Sequence, residues 1–327
     1  MPTPHSLRDA QLYGEIKILA GTACPDLAGE IASILHLPLG GRDVITFSNE
    51  NIFVRLHSSV RGQDVYVIQT TSPPVNDNLM ELLIMTQTLK LDSAGRITVV
   101  VPYICYARSD KKDQPRVPIT ARLVADMIEV AGADRYITLD MHAGQIQGFF
   151  SIPGDVLTAF HILSDHFVEK RPRLLDPVIV TADLGFAKKG RNFAQKIDAG
   201  MAFIEKRRAG NEGRAEALTI IGRVKDRDVI IVDDEVDTAS SVSEAVQLVK
   251  KNGARDVYLC FVHPVLSGPA VERLRALPIT EMVTTNTIPI PEHNCLPNLT
   301  VLSVAPLLAE VIRRAHEGRS VGEMFNE

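Results

Sequence analysis

The sequence predicts an α/β protein of two related domains, each a mainly parallel sheet flanked by helices. Three observations predict it. Short β-branched runs alternate with longer helical patterns, as in strands joined by crossover helices. The chain has 327 residues, beyond the size at which one hydrophobic core usually keeps growing. Residues 119–142 and 240–263 also align without a gap, 121 positions apart. Each copy reads helix, Gly-Ala turn (Gly132-Ala133, Gly253-Ala254), strand, then histidine (His142, His263).

The elements follow in order. VYVIQ predicts a strand over Val65–Gln69, and the apolar spacing of the next stretch a helix over Leu79–Lys90. ITVVV gives a strand over Ile97–Val101, followed by a helix over Ile119–Val130 that stops at Gly132. Strands at Tyr136–Leu139 and Val178–Val180 come next. The second set closes with a strand over Val229–Val232, a helix over Ser241–Lys251 and a strand over Val257–Phe261. Leu307–His316 reads as an amphipathic helix.

Composition narrows the function. The hydrophobic fraction of 45% and charged fraction of 23% are those of a globular protein, and nothing suggests disorder. A net charge of −5 argues against broad nucleic-acid binding, which needs many basic phosphate contacts. Cys24, Cys105, Cys260 and Cys295 form no C-x-x-C pair, so no zinc or redox motif is expected. Met1–Gln11 lacks an apolar core and no run approaches a membrane span, so a cytoplasmic protein without membrane contact is expected.

In parallel sheets, ligands collect at the carboxyl ends of strands. The richest such place is VIIVDDEVDTASS, residues 229–241. An aliphatic strand runs into Asp233, Asp234 and Asp237, and then Thr238, Ala239, Ser240 and Ser241 open a helix. Free N–H groups and hydroxyls at a helix start make an anion site. Carboxylates beside it would repel a bare phosphate, but they suit the hydroxyls of a sugar whose phosphate sits on the loop. The plainer reading is an acidic first turn with its cap. Three aspartates exceed what capping needs.

This segment resembles the phosphoribosyl pyrophosphate motif, D-D-x-x-D-T-x-G-T after an aliphatic strand. Phosphoribosyltransferases and ribose-phosphate pyrophosphokinases share it, and alone it does not choose between them. The rest of the chain chooses. YARSDKKD (106–113) resembles the Y-A-R-Q-D-K-K-D stretch of the pyrophosphokinases, LDMHAGQIQGFF (139–150) their D-L-H-A-x-Q-I-Q-G-F-F turn, and TADLGF (181–186) their S-P-D-x-G-G segment. FIEKRRAGN (203–211) resembles their catalytic loop and ITFSNENI (45–52) their F-S-[DN]-x-E segment. The likeness runs from about Ile16 to Phe325, far more specific than any single motif.

The resemblance to the ribose-phosphate pyrophosphokinase family implies two phosphoribosyltransferase-like domains. An ATP-contributing domain would span 1–160 plus about 312–327, and a ribose-5-phosphate-binding domain 161–311. It implies transfer of the pyrophosphoryl group of Mg-ATP to ribose 5-phosphate, with Mg2+ as cofactor. Lys206 and Arg208 would be catalytic, and Phe47, Asn49, Arg108, Ser109, Asp110, Lys111, Lys112, Asp113 and His142 would bind ATP. Arg208, Asp233, Asp234, Asp237, Thr238, Ala239, Ser240 and Ser241 would hold ribose 5-phosphate, and His142 and Asp183 would attend the metal. Family members form hexamers built from dimers, controlled by phosphate and ADP. The matching effector positions are Ser59, Arg61, Ser93, Arg116 and Ser320, while Gly322 stands where a serine often occurs.

Departures fall inside the motifs. Ser109 replaces a glutamine, Asn51 a glutamate and Phe186 a glycine, and Ser240 and Ser241 replace the Gly and Thr of the phosphate loop. A non-catalytic associated subunit and a phosphoribosyltransferase are the alternative readings. Joint retention of His142, Asp183, Lys206, Arg208 and the aspartates favours the enzyme, because a like-charge cluster is costly to keep without use.

Overall fold

The computed structural model describes residues 13–181, 186–209 and 214–325, with the backbone alone for 206–209, 214–217 and 325. The chain divides into two compact units, Met1–Leu157 with Ala305–Glu327, and Thr158–Val304.

The first unit contains β1 (Ile16–Ala20), α1 (Pro25–Ile34), β2 (Arg42–Thr46), β3 (Ile52–Leu56), β4 (Asp64–Ile68), α2 (Val75–Leu91), β5 (Arg96–Val101), α3 (Thr120–Ala131), β6 (Arg135–Leu139) and β7 (Gly154–Leu157). Its sheet has the order β1-β4-β5-β6-β7, all parallel, and β2–β3 form a separate antiparallel hairpin. Every residue of β4 and β5 is buried, as expected of central parallel strands covered on both faces. Leu82, Met85 and Leu89 of α2 and Val124 and Ile128 of α3 close one face over Val65, Val67, Val99 and Val101.

The second unit contains α4 (Phe160–Lys170), β8 (Val178–Thr181), α5 (Ala187–Lys196), β9 (Gly200–Ala209), β10 (Arg214–Ile221), β11 (Val229–Val236), α6 (Ser240–Lys251), β12 (Val257–Pro264), α7 (Ala270–Ala276), β13 (Glu281–Thr285) and β14 (Leu299–Leu302). The sheet order is β10-β9-β8-β11-β12-β13-β14, parallel except for β10 against β9. Strand β11 runs to Val236, four residues past the aliphatic run, because Asp233, Glu235 and Val236 keep their pairing with β12. The last helix, α8 (Ala305–Glu317), belongs to the first unit and packs on α1.

The sequence echo is a structural one. Helices α3 and α6 are each followed by a glycine in the left-handed region, Gly132 at φ 115° and Gly253 at φ 84°, and each leads into an interior strand, β6 or β12. The histidines part company. His142 lies exposed in the turn beyond β6, whereas β12 continues to Pro264 and keeps His263 buried within it.

Both units pin the amino-terminal edge of the sheet with a buried aspartate in an arginine fork. Arg96 donates to both oxygens of Asp64, at 2.7 and 2.6 Å, and Arg255 to both of Asp228, at 2.6 Å each. In the first unit Tyr66 and His316 also donate to Asp64 Oδ2, at 3.1 and 2.8 Å, and Arg96 donates to the Ala315 carbonyl at 3.1 Å. That network fastens the end of α8 to the sheet.

Candidate active site

In each unit, loops singled out from sequence leave by the carboxyl edge of the sheet, whereas Phe47 and Asn49 stand on the β2–β3 hairpin and Ser59, Arg61 and Ser93 at the amino edge. In the second unit, β8, β9 and β11 are neighbouring parallel strands, so the segments following them leave by one edge. Thr181 ends β8 opposite Val232, and Asp183, two positions on, lies outside the described residues. Strand β9 carries Lys206 past that edge, paired with Leu218 of β10. The side chains of Lys206 and Arg208 lie outside the described residues.

The end of β11 is acidic and largely buried. Asp234 and Glu235 are buried, and Asp233 is half-buried. Burial, followed by the charge of Asp234, pushes the Asp233 carboxyl well above the usual carboxylate range. Its Oδ1 accepts the Asp234 N–H at 2.9 Å, which opposes the rise only in part. Asp237 is tied into the next loop: Ser267 Oγ donates to its Oδ1, and Ser267 N–H to its carbonyl at 3.0 Å. Arg273 donates to the Thr238 carbonyl at 2.8 Å.

Ala239 caps α6 in the left-handed region, at φ 59°, which is strained for a residue with a Cβ. The turn exposes Thr238, Ser240 and Ser241 at the start of a twelve-residue helix. Hydroxyls, first-turn N–H groups and the positive end of the helix suit a phosphate, with carboxylates alongside for sugar hydroxyls.

In the first unit the loop from Pro102 to Ile119 follows β5, and His142 follows β6, its parallel neighbour. Gln145 Nε2 donates to Asp110 Oδ2, joining the two loops directly. Thr71, beyond β4, holds the start of the first loop by donating to the Tyr103 carbonyl at 2.8 Å and accepting the Cys105 N–H at 2.7 Å. Arg108, Lys111, Lys112 and Asp113 are exposed, and Asp110 is buried. Ser109 serves the free amides of α3. Its Oγ accepts the Thr120 N–H at 3.2 Å and its carbonyl accepts the Ala121 N–H at 3.1 Å.

Phe47 and Asn49 stand on another element, the tip of the β2–β3 hairpin. Asn49 Oδ1 accepts the Asn51 N–H at 3.2 Å, and the half-exposed Phe47 ring lies 6.1 Å from that of Phe53. The bulk of Phe186 is taken up by packing, its ring 5.2 Å from that of Phe160.

No group of three metal-ligating side chains is assembled among the described residues. Magnesium needs none where substrate phosphates and water complete its shell, and the exposed His142 beyond β6 fits such a site. No helix among the described residues is long and apolar enough to cross a membrane.

Of the expected effector residues, Ser59, Arg61 and Ser93 come together at the amino edge of the first sheet. Arg61 bridges Ala94, Gly62 N–H donates to the Ser93 carbonyl at 2.9 Å, and Arg61 N–H donates to Ser59 Oγ at 3.3 Å. Ser320 follows α8, with its carbonyl accepting from Arg314 at 2.7 Å. Arg116 lies in the loop after β5, at the opposite edge.

Residues missed from sequence are the supports: Gln145, Thr71 and Ser267. Gln145 stands inside the motif around His142.

Residues 16–132 match the family described as the N-terminal domain of ribose phosphate pyrophosphokinase, and residues 212–326 match the phosphoribosyl synthetase-associated domain. A ribose-phosphate pyrophosphokinase of Caldanaerobacter subterraneus is 48% identical over 316 residues, 97% of this chain and 99% of the relative. One from Clostridium acetobutylicum is 47% identical over 95% of this chain and 98% of its own. The crystal structure of phosphoribosylpyrophosphate synthetase from Mycobacterium smegmatis superposes with a TM-score of 0.88 at 41% identity, over 93% of this chain and 99% of that one. With near full-length agreement in sequence and fold, this chain belongs to the ribose-phosphate pyrophosphokinase family.

Proposed function

We propose that this chain transfers the β,γ-pyrophosphoryl group of ATP to the C1 hydroxyl of ribose 5-phosphate, giving phosphoribosyl pyrophosphate and AMP. The observation that carries the reading is the end of β11: one buried and two half-buried aspartates run into a hydroxyl-lined helix start, within a chain that matches pyrophosphokinases over nearly its full length.

Asp233, Asp234 and Asp237 orient the ribose hydroxyls, and Thr238, Ala239, Ser240 and Ser241 hold the 5-phosphate. The second unit is thus the ribose-5-phosphate domain and the first contributes to ATP. Arg108, Lys111 and Lys112 offer cations to the polyphosphate, with Asp110 anchoring their loop through Gln145. Ser109 shapes this loop, and Asp113 completes it. Phe47 and Asn49 meet the adenine.

His142 and Asp183 attend Mg2+, which when bound neutralises charge on the ATP oxygens. Lys206 and Arg208 stabilise negative charge developing on the transferred group. Phosphoryl transfer asks for little more than such positioning and charge balance.

Ser59, Arg61 and Ser93 form the core of a phosphate or ADP effector site with Ser320. Arg116 stands at the other edge of the same sheet, so its part in that site comes from another copy in a hexamer of dimers. A cytoplasmic, nucleotide-supplying role follows from the substrates. Product analysis with Mg-ATP, with and without ribose 5-phosphate, tests the reading. AMP release that depends on the sugar phosphate supports it, and turnover that requires a free base instead overturns it.

A further inference from the structure

Strands β11 and β12 make their last registered pairing at Val236 and Pro264, but the chains beyond them stay joined. Leu266 N–H donates to the Val236 carbonyl at 2.9 Å, and Ser267 N–H to the Asp237 carbonyl at 3.0 Å. Ser267 Oγ donates to Asp237 Oδ1, and Arg273 of α7 donates to the Thr238 carbonyl at 2.8 Å. One segment, residues 266–273, thus holds three successive carbonyls and the carboxylate among them.

This arrangement is kept against backbone preference. Leu266 and Ala239 both sit in the left-handed region, at φ 48° and 59°, which disfavours a residue with a Cβ. Both are buried in one core with Val236, Ala270 and Leu274, and that packing keeps them there.

Peptide planarity then sets the amides. In a trans peptide the carbonyl of one residue and the N–H of the next point opposite ways. The Asp237 and Thr238 carbonyls face the 266–273 segment, so the N–H groups of Thr238 and Ala239 face away from it. Two successive amides turned to one side, with the Ser240 hydroxyl at the start of α6, make an anion cradle. We propose that residues 266–273 are the template of the 5-phosphate site, with Ser267 and Arg273 as positioning residues that do not touch substrate. Ser267 sets the Asp237 carboxylate and the Thr238 amide, and Arg273 sets the Ala239 amide. This rests on the assignment of the β11–α6 loop to the sugar phosphate.

The test uses the full-length protein and the variants Ser267→Ala, Ser267→Thr and Arg273→Gln. KM for ribose 5-phosphate and for ATP is measured with Mg-ATP, and hydrogen exchange of the Thr238 and Ala239 amides without substrate. Ser267→Ala and Arg273→Gln are each expected to raise KM for ribose 5-phosphate about five- to tenfold, leaving KM for ATP within about twofold. Exchange at the two amides should quicken about tenfold in both. Ser267→Thr keeps the hydroxyl and should stay within about twofold of wild type throughout. An unchanged KM for ribose 5-phosphate in either losing variant removes that residue from the template. Equal rises in both KM values leave only a structural role and overturn the proposal. A raised KM for ribose 5-phosphate with unchanged exchange also overturns it, because the side chain then meets the substrate itself. The sugar assignment fails separately, if Asp237→Asn leaves KM for ribose 5-phosphate unchanged. Should Ser267→Ala not fold, the variant of the exposed Arg273 decides by the same two readouts.

Discussion

Gln145 donates its side-chain amide to the buried carboxylate of Asp110, and that one bond joins the loop after β5 to the turn after β6. The first loop bears the cations proposed for ATP and the second bears His142. Replacing Gln145 with Leu leaves the Asp110 carboxylate short of a partner, a cost of about 1–3 kcal/mol. The expected outcome is a KM for ATP raised about five- to tenfold, with KM for ribose 5-phosphate unchanged. Initial-rate kinetics check both.

Asp233 is held above the usual carboxylate range by burial and by Asp234. The folded protein therefore keeps a proton that the unfolded chain gives up at lower pH. Stability falls as pH rises from the unfolded value through the raised folded one. Asp233→Asn lacks that slope. Its urea midpoint should match wild type in acid and exceed it at neutral pH, while activity drops about a hundredfold or more because the sugar loses its guide. Midpoints measured across pH test the first statement, and kcat/KM the second.

Lys206 belongs to a strand pair that extends past the carboxyl edge of the second sheet. If it acts on the transition state alone, Lys206→Ala lowers kcat about 10²–10³-fold with little change in KM for ATP. Pre-steady-state measurement of AMP release separates this from slow product release. An unchanged kcat would remove Lys206 from the chemistry.

Asp64 is fully buried and depends on Arg96 for its charge balance. Arg96→Ala removes the two-armed partner of that carboxylate and leaves it only the Tyr66 and His316 donors, and about 3 kcal/mol of stability should be lost. Because Arg96 also bonds the Ala315 carbonyl, α8 should exchange its amide hydrogens faster in the variant. Hydrogen exchange of Ala305–Glu317 is the measurement.

The central strands were legible because parallel sheets bury them on both faces, so that β5 reads as the plain run ITVVV. The margins were not: β14 (LTVL) has three partly buried residues and one exposed, and is too short to stand out. The extension of β11 through Asp233 to Val236 was hidden because two aspartates and a glutamate are poor strand formers held there by pairing with β12. The site residues were legible as motifs at strand ends. Their supports were not, since Ser267 reaches Asp237 across thirty positions and Thr71 reaches Cys105 across thirty-four, and nothing local marks either contact.

The central claim is transfer of two phosphoryl groups together to the sugar. ATP labelled separately at the β- and γ-phosphorus, incubated with the protein, Mg2+ and ribose 5-phosphate, tests it most directly. The account predicts both labels in phosphoribosyl pyrophosphate, with AMP formed in equal amount and none released without the sugar phosphate. ADP with only the γ label transferred, or no labelled sugar from a folded sample, would contradict it.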